Sequence, residues 1–177
     1  MYHNDYLGTS VSLPKEWYVQ SQRAQEQLFN VGTEIVAGDK SELRAIAKSS
    51  QASTTNLFTV LEHPLGSPIP FIANIVCLAA STANSPGFTA QENLYFIRRT
   101  MEMSQLEVEF LESMTTSTIR GKEFDVMQVE MNVKGLTIKQ TYYSIIHKNY
   151  ALTLIIAYQS DEQQEVLQSI VDSITFD

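Results

Sequence analysis

Glu102, Glu107, Glu109 and Glu112 form the densest acidic group in the chain. On an extended strand Glu107 and Glu109 share a face, because side chains alternate with a period of two. Paired carboxylates can bind a hard cation or do acid–base work. The sequence places no partner beside them, so a solvated strand face accounts for them better. The three histidines, His3, His63 and His147, lie far apart, and none has a second His or Cys at i+2 or i+4, the spacing of a zinc site. They read as scattered surface imidazoles. Cys77, the one cysteine, sits in the apolar run from Ile72 to Ala80 with Val76 and Leu78 beside it. Burial there keeps a thiol protonated and inert. No serine lies in Gly-x-Ser-x-Gly, and the seven glycines are dispersed singly, which leaves no phosphate-cradling loop. These residues imply no catalytic set, no metal site and no cofactor.

Charge narrows the range of partners. Twelve Lys and Arg against twenty Asp and Glu give a net charge of -8 over 177 residues. The basic residues are scattered, with Arg98-Arg99 and Arg120/Lys122 the densest sets. Such a chain repels a nucleic-acid backbone and an anionic membrane surface. No apolar run reaches the roughly 18 residues of a membrane span. The polar start Met1 to Asp5 carries no export signal. The expectation is a cytoplasmic protein, or an exported or periplasmic one whose signal has been removed. Hydrophobic residues make up 44% and charged residues 18%, a balance that folds on its own core without a disulfide framework. One domain over residues 1–177 is expected, burying about 70% of the unfolded surface.

The elements that must carry these residues follow from periodicity. Leu7, Thr9, Val11 and Leu13 alternate with Gly8, Ser10 and Ser12, the period of a half-buried strand that ends at Pro14. Trp17-Tyr18-Val19 resumes an extended run. Ala24, Leu28, Val31 and Ile35 recur at helical spacing over Gln22–Val36, and Gly38 ends that helix. Asp39 to Glu42 has the form of a capping box before a second short helix, and Ser49–Thr55 reads as a polar bridge. Strands are expected over Leu57–Glu62 and Phe71–Ala80. Between them, the three prolines of His63–Pro70 bar any ladder. Thr89/Glu92 and Ser160/Gln163 are further capping boxes, each before an amphipathic helix. From Val108 onward the period is two, with strands near 107–112, 114–120, 123–133, 136–147 and 150–158. Lys134-Gly135 and Lys148-Asn149 read as tight hairpin turns, because Gly and Asn accept positive φ. These segments form an antiparallel meander. Ala151–Ala157 is apolar on both faces and belongs in mid-sheet. The order of elements is α+β: a central, largely antiparallel β-sheet flanked by helices in an α/β/α sandwich.

Two segments carry a family likeness. Tyr6–Val19 is a short strand followed by Leu13-Pro14-Lys15-Glu16-Trp17. The close of the chain has Tyr142-Tyr143, then Asn149-Tyr150-Ala151-Leu152, then Ser169–Phe176. Together they resemble the PsbP-like superfamily. The resemblance implies a central antiparallel sheet between helices. It implies no catalytic residue, since the superfamily shares a scaffold and not a chemistry.

Two features remain as sites for a partner. Trp17, Tyr18, Tyr142, Tyr143, Tyr150 and Tyr158 are packing residues in the simpler reading and the rim of an apolar cleft in the other. Leu65, Ile69 and Phe71, held by prolines, form a stiff apolar edge suited to a binding lip or to covering a sheet edge. The expectation is therefore a non-enzymatic binding or accessory protein with a protein partner chosen by loops 63–70 and 81–88. The alternative is a carrier of a small apolar ligand, with a hydrolase third.

Overall fold

The computed structural model describes residues 1–111 and 113–177. In chain order the elements are β1 (Tyr2–Asn4), β2 (Thr9–Val11), β3 (Tyr18–Val19), α1 (Gln22–Ala37), α2 (Ser41–Ser53), β4 (Thr54–Leu61), β5 (Asn74–Ser81), α3 (Ala90–Met103), β6 (Glu107–Phe110), β7 (Thr115–Ile119), β8 (Lys122–Val133), β9 (Leu136–His147), β10 (Tyr150–Tyr158), α4 (Asp161–Asp172) and β11 (Thr175–Phe176). The fold is α+β. Eight strands form one sheet in the order β3-β4-β5-β10-β9-β8-β6, with β7 also on β8. Every pair in it is antiparallel.

β10 lies between β5 and β9, and alternation sends its side chains to two different cores. Leu154, Ile156 and Tyr158 pack with Phe124, Val126 and Tyr143 against Leu167, Ile170 and Val171 of α4. On the opposite face Ala157 joins Met127, Val129, Met131, Ile138 and Tyr142 beneath Leu94 of α3. Cover on both faces is why this strand carries no clean polar alternation.

Local chemistry sets the element ends. Thr89 with Glu92 and Ser160 with Gln163 form the two reciprocal capping boxes that start α3 and α4. Three hairpins turn on Arg120-Gly121, Lys134-Gly135 and Lys148-Asn149, all at positive φ. Two consecutive left-handed residues give the turn whose twist matches paired strands.

Four expected boundaries shift. The polar stretch from Ser49 is the end of α2, which runs to Ser53 with no Gly or Pro to stop it, and Ser53 Oγ donates to Ser50 O. Lys40, not Asp39, caps α2, without a side-chain bond, because Asp39 falls in the turn after Gly38. β5 begins at Asn74, three residues after Phe71, whose ring packs against both main cores. β6 and β7 do not pair with each other as a meander would require. Both lie on one edge of β8, β6 along Val129–Asn132 and β7 along Lys122–Val126.

A second sheet, β1-β2-β11, joins the two chain ends. Thr175 and Phe176 pair with Ser10 and Thr9, Asp177 N–H donates to Gly8 O, and Ser12 N–H donates to Ser173 Oγ. The alternation over Leu7, Thr9 and Val11 is honoured, since all three are buried. Only Thr9–Val11 is strand, because Gly8 at φ 59° breaks the ladder.

Candidate functional site

One end of the main sheet carries an open groove of about 840 Å³. α1 crosses it. The helix starts beside β4, where Gln20 N–H donates to Thr59 O, and ends where Gln105 Nε2 donates to Ile35 O. Gly38 ends it at φ 51°, and a Cβ there would strike the Gln105 side chain. The helix is amphipathic, yet only Gln25 and Ala37 are buried. Of its apolar stripe, Val31 and Ile35 face the groove, while Ala24 and Leu28 are half-buried away from it. Val31 is 57% exposed and Ile35 half-buried, opposite half-buried Leu106 and Val133. Asn30, Glu34, Glu107, Asn132 and Lys134 form a polar rim of mixed charge.

Loop 63–70 lies at this same end of the sheet, since it joins the last residue of β4 to the first of β5. Leu65 is 47% exposed and Ile69 39% exposed, whereas Phe71 is turned into the cores. Ser67 N–H and Oγ both bond to Pro64 O, which stiffens the tip. Loop 81–88 leaves the far end of β5, about 24 Å away along an eight-residue strand. The two loops proposed from sequence therefore do not form one surface. Sequence reading placed Val31 and Ile35 on one helix stripe and did not single out Leu106 or Val133. Periodicity shows which residues share a helix face but not what that face meets.

The aromatic residues do not form one cleft: Tyr143 and Tyr158 are buried in the α4-side core with Trp17 packed on it, and Tyr142 is in the other core. Tyr142 and Tyr143 point to opposite faces of β9, with their hydroxyls bound to Gln140 Oε1 at 2.7 Å and to Gln168 Oε1 at 2.6 Å. Burial raises the pKa of both, Tyr143 to about 12. His147 sits on the ring of Phe176 and its Nε2 meets Leu7 O at 2.7 Å, while His3 contacts Asp5 and Ser10. Burial lifts the Cys77 thiol to about 12, so at neutral pH it is not a nucleophile. Glu107 and Glu109 are exposed on β6, Glu102 pairs with Arg98 at 2.9 Å, and Glu112 lies outside the described residues. Among the described residues no group of three or more His, Cys, Asp or Glu is gathered closely enough to hold a metal ion.

A polar row crosses the sheet on the α3 side. Thr116, Asp125, Ser144 and Thr153 stand opposite one another on β7, β8, β9 and β10. Asn93 of α3 closes its buried half, donating to Ser144 Oγ at 3.0 Å and Thr153 Oγ1 at 2.9 Å. Desolvation, and then the charge of Glu123, raise the pKa of Asp125. A carboxyl whose folded pKa is raised penalises the folded state once pH exceeds that pKa, and the penalty is absent below the unfolded value of about 3.9. Asp125→Asn is therefore expected to stabilise the protein at pH 7. The gain should fade as pH falls towards 4, as read by urea unfolding across that range.

Sequence comparison finds no matching family model and no matching curated protein. Structure comparison finds CyanoP, the cyanobacterial PsbP of Synechocystis sp. PCC 6803, with a TM-score of 0.57 at 11% identity over 99% of this chain and 91% of that one. The fold is PsbP-like. LpqN of Mycobacterium tuberculosis, a protein involved in cell envelope biogenesis, shares the PsbP-like arrangement with a TM-score of 0.50 at 11% identity, over 94% of this chain and 82% of that one. At such identity the likeness concerns the scaffold, and no residue role transfers with it. Among the described residues no helix is long and apolar enough to cross a membrane.

Proposed function

We propose that this protein is a non-catalytic accessory module that docks a segment of a protein partner at the end of the sheet bearing the groove and loop 63–70. The observation that carries this reading is the C-terminal part of α1's apolar stripe, exposed Val31 and half-buried Ile35, facing Leu106 and Val133. An amphipathic helix packed in a finished core would bury that stripe. Here Val31 is left 57% exposed above a groove of about 840 Å³, with exposed Leu65 and Ile69 at the same end of the sheet. The groove is open rather than enclosed, which suits an elongated segment better than a small ligand needing burial on all sides. A carrier site beside the tyrosines has no support, since Tyr142 and Tyr143 face opposite cores. Structural likeness to LpqN, a protein involved in cell envelope biogenesis, supports a reading in which this module meets its partner outside the cytoplasm.

Affinity capture from the native organism tests this with three baits: wild type, Val31→Lys, and Leu65→Ser with Ile69→Ser. These side chains are exposed, so each change should alter stability by less than about 0.5 kcal/mol. A partner held by wild type should be lost from the Val31→Lys bait and weakened on the loop variant. Undiminished capture by both variants would remove this end of the sheet as the site. A collapse in stability of the loop variant would show that Leu65 and Ile69 belong to the core.

A further inference from the structure

β7 presents an open edge of the sheet. Its residues Thr115–Ile119 pair only with β8, and among the described residues no other backbone hydrogen bond reaches them. The hairpin turns through two residues, Arg120-Gly121, so its closing pair Ile119–Lys122 is hydrogen-bonded. Bonded and non-bonded pairs alternate in an antiparallel ladder. Ser117 and Thr115 therefore bond inward to β8, while Thr116 and Thr118 direct their N–H and C=O groups outward. Thr115, Thr116 and Thr118 are exposed. Sheet edges are ordinarily blunted by a charge, a proline or a bulge. Thr115–Ile119 contains no charged residue and no proline, and its register with β8 is unbroken.

The side chains behind this edge specify what it would accept. Thr116 and Thr118 stand opposite Asp125 and Glu123, two carboxylates on one face of β8. No Lys, Arg or His forms an ion pair with either among the described residues. A strand added outside β7 would lie about 10 Å from β8, two strand spacings. A Lys or Arg in register with Thr116 or Thr118 spans that distance over the short threonine side chain. We infer that the outer edge of β7 accepts an extended segment of a partner protein with basic residues at alternate positions, adding a strand whose cations meet Glu123 and Asp125. This surface is distinct from the groove and does not depend on it.

The probe is the acetylated, amidated heptapeptide Thr-Lys-Thr-Lys-Thr-Lys-Thr, titrated into the wild-type protein with amide NMR shifts and hydrogen exchange as readouts. Saturable shifts confined to β7 and β8 are expected, with the Thr116 and Thr118 amides gaining exchange protection. The same peptide N-methylated at every residue keeps its charge and loses its donors, and should bind about tenfold or more weakly. Thr118→Pro should weaken binding similarly, since proline is tolerated at an edge position whose N–H has no intramolecular partner. Exchanging the lysines for glutamates should abolish binding. Equal affinity for the N-methylated peptide would overturn the inference, because charge alone would then hold it. A wild-type dimer that blocks β7 and is dissolved by Thr118→Pro would also overturn it, assigning the edge to a second copy. If Thr118→Pro fails to fold, the three peptides on the wild-type protein decide alone.

Discussion

Leu154→Ala is expected to lower the unfolding free energy by about 3–4 kcal/mol, the range for a leucine truncated where the surroundings cannot collapse. Leu154 is 1% exposed at the centre of β10, between Cys77 on β5 and Tyr143 on β9. Both neighbours belong to its own cluster, and α4 supplies Leu167, Ile170 and Val171 to the same core. Hydrogen-bonded ladders hold β10 on two sides, so the backbone cannot move in to fill the gap. Urea unfolding should show a lower midpoint with an unchanged slope. A loss under about 1 kcal/mol would mean that α4 does not pack on the sheet as described.

Asn93→Ala is expected to cost about 2–3 kcal/mol, more than its lost packing alone would suggest, because it strands two hydroxyls. Asn93 is 9% exposed, Ser144 is fully buried and Thr153 is 3% exposed. The single Nδ2 group donates to both hydroxyls, which stand opposite each other on β9 and β10. Removing the amide leaves buried polar atoms without water or partner, and that desolvation penalty dominates the loss. Converting all three residues together, with Asn93→Leu, Ser144→Ala and Thr153→Val, should recover most of the stability. The contrast between single and triple variants in urea unfolding separates desolvation from packing. A triple variant no better than Asn93→Ala would assign the cost to packing. The network pins α3 at one place along the sheet, and an all-apolar contact would not.

Local chemistry made much of the fold legible. Thr89/Glu92 and Ser160/Gln163 announce helix starts because a side-chain oxygen must satisfy a free N–H within three residues. Lys134-Gly135 and Lys148-Asn149 announce hairpins because few residues accept positive φ. β10 was legible as a central strand because a strand covered on both faces must be apolar at successive positions. The Asp39 cap was misleading: Asp39 to Glu42 has the right composition, yet Gly38 ends α1 so close by that the turn consumes Asp39.

The candidate sites were far less legible, since they depend on residues distant along the chain. Leu65 and Ile69 could be read as exposed from their proline-bound loop. That loop 63–70 and loop 81–88 lie at opposite ends of the sheet follows only once β5 is known to run between them. The groove brings together residues 30–35, 105–107 and 132–135, and no spacing rule links these segments. The sharing of one edge of β8 by β6 and β7 was equally hidden, because a period of two states that a residue is in a strand and not which strand lies beside it.

By itself the sequence determined the class of fold, the starts of α3 and α4, the hairpin turns, the two-faced central strand and the burial of Cys77. Each depends on interactions within a few residues or on the simple partition of apolar side chains from water. Tertiary structure alone decided that the chain ends meet in a second sheet, that Val31 and Ile35 of α1 face a groove, that Asn93 bridges two strands, and that β7 keeps an open edge. Each of those depends on contacts between segments tens of residues apart, and such contacts are chosen by the packing of the whole molecule rather than by any local pattern.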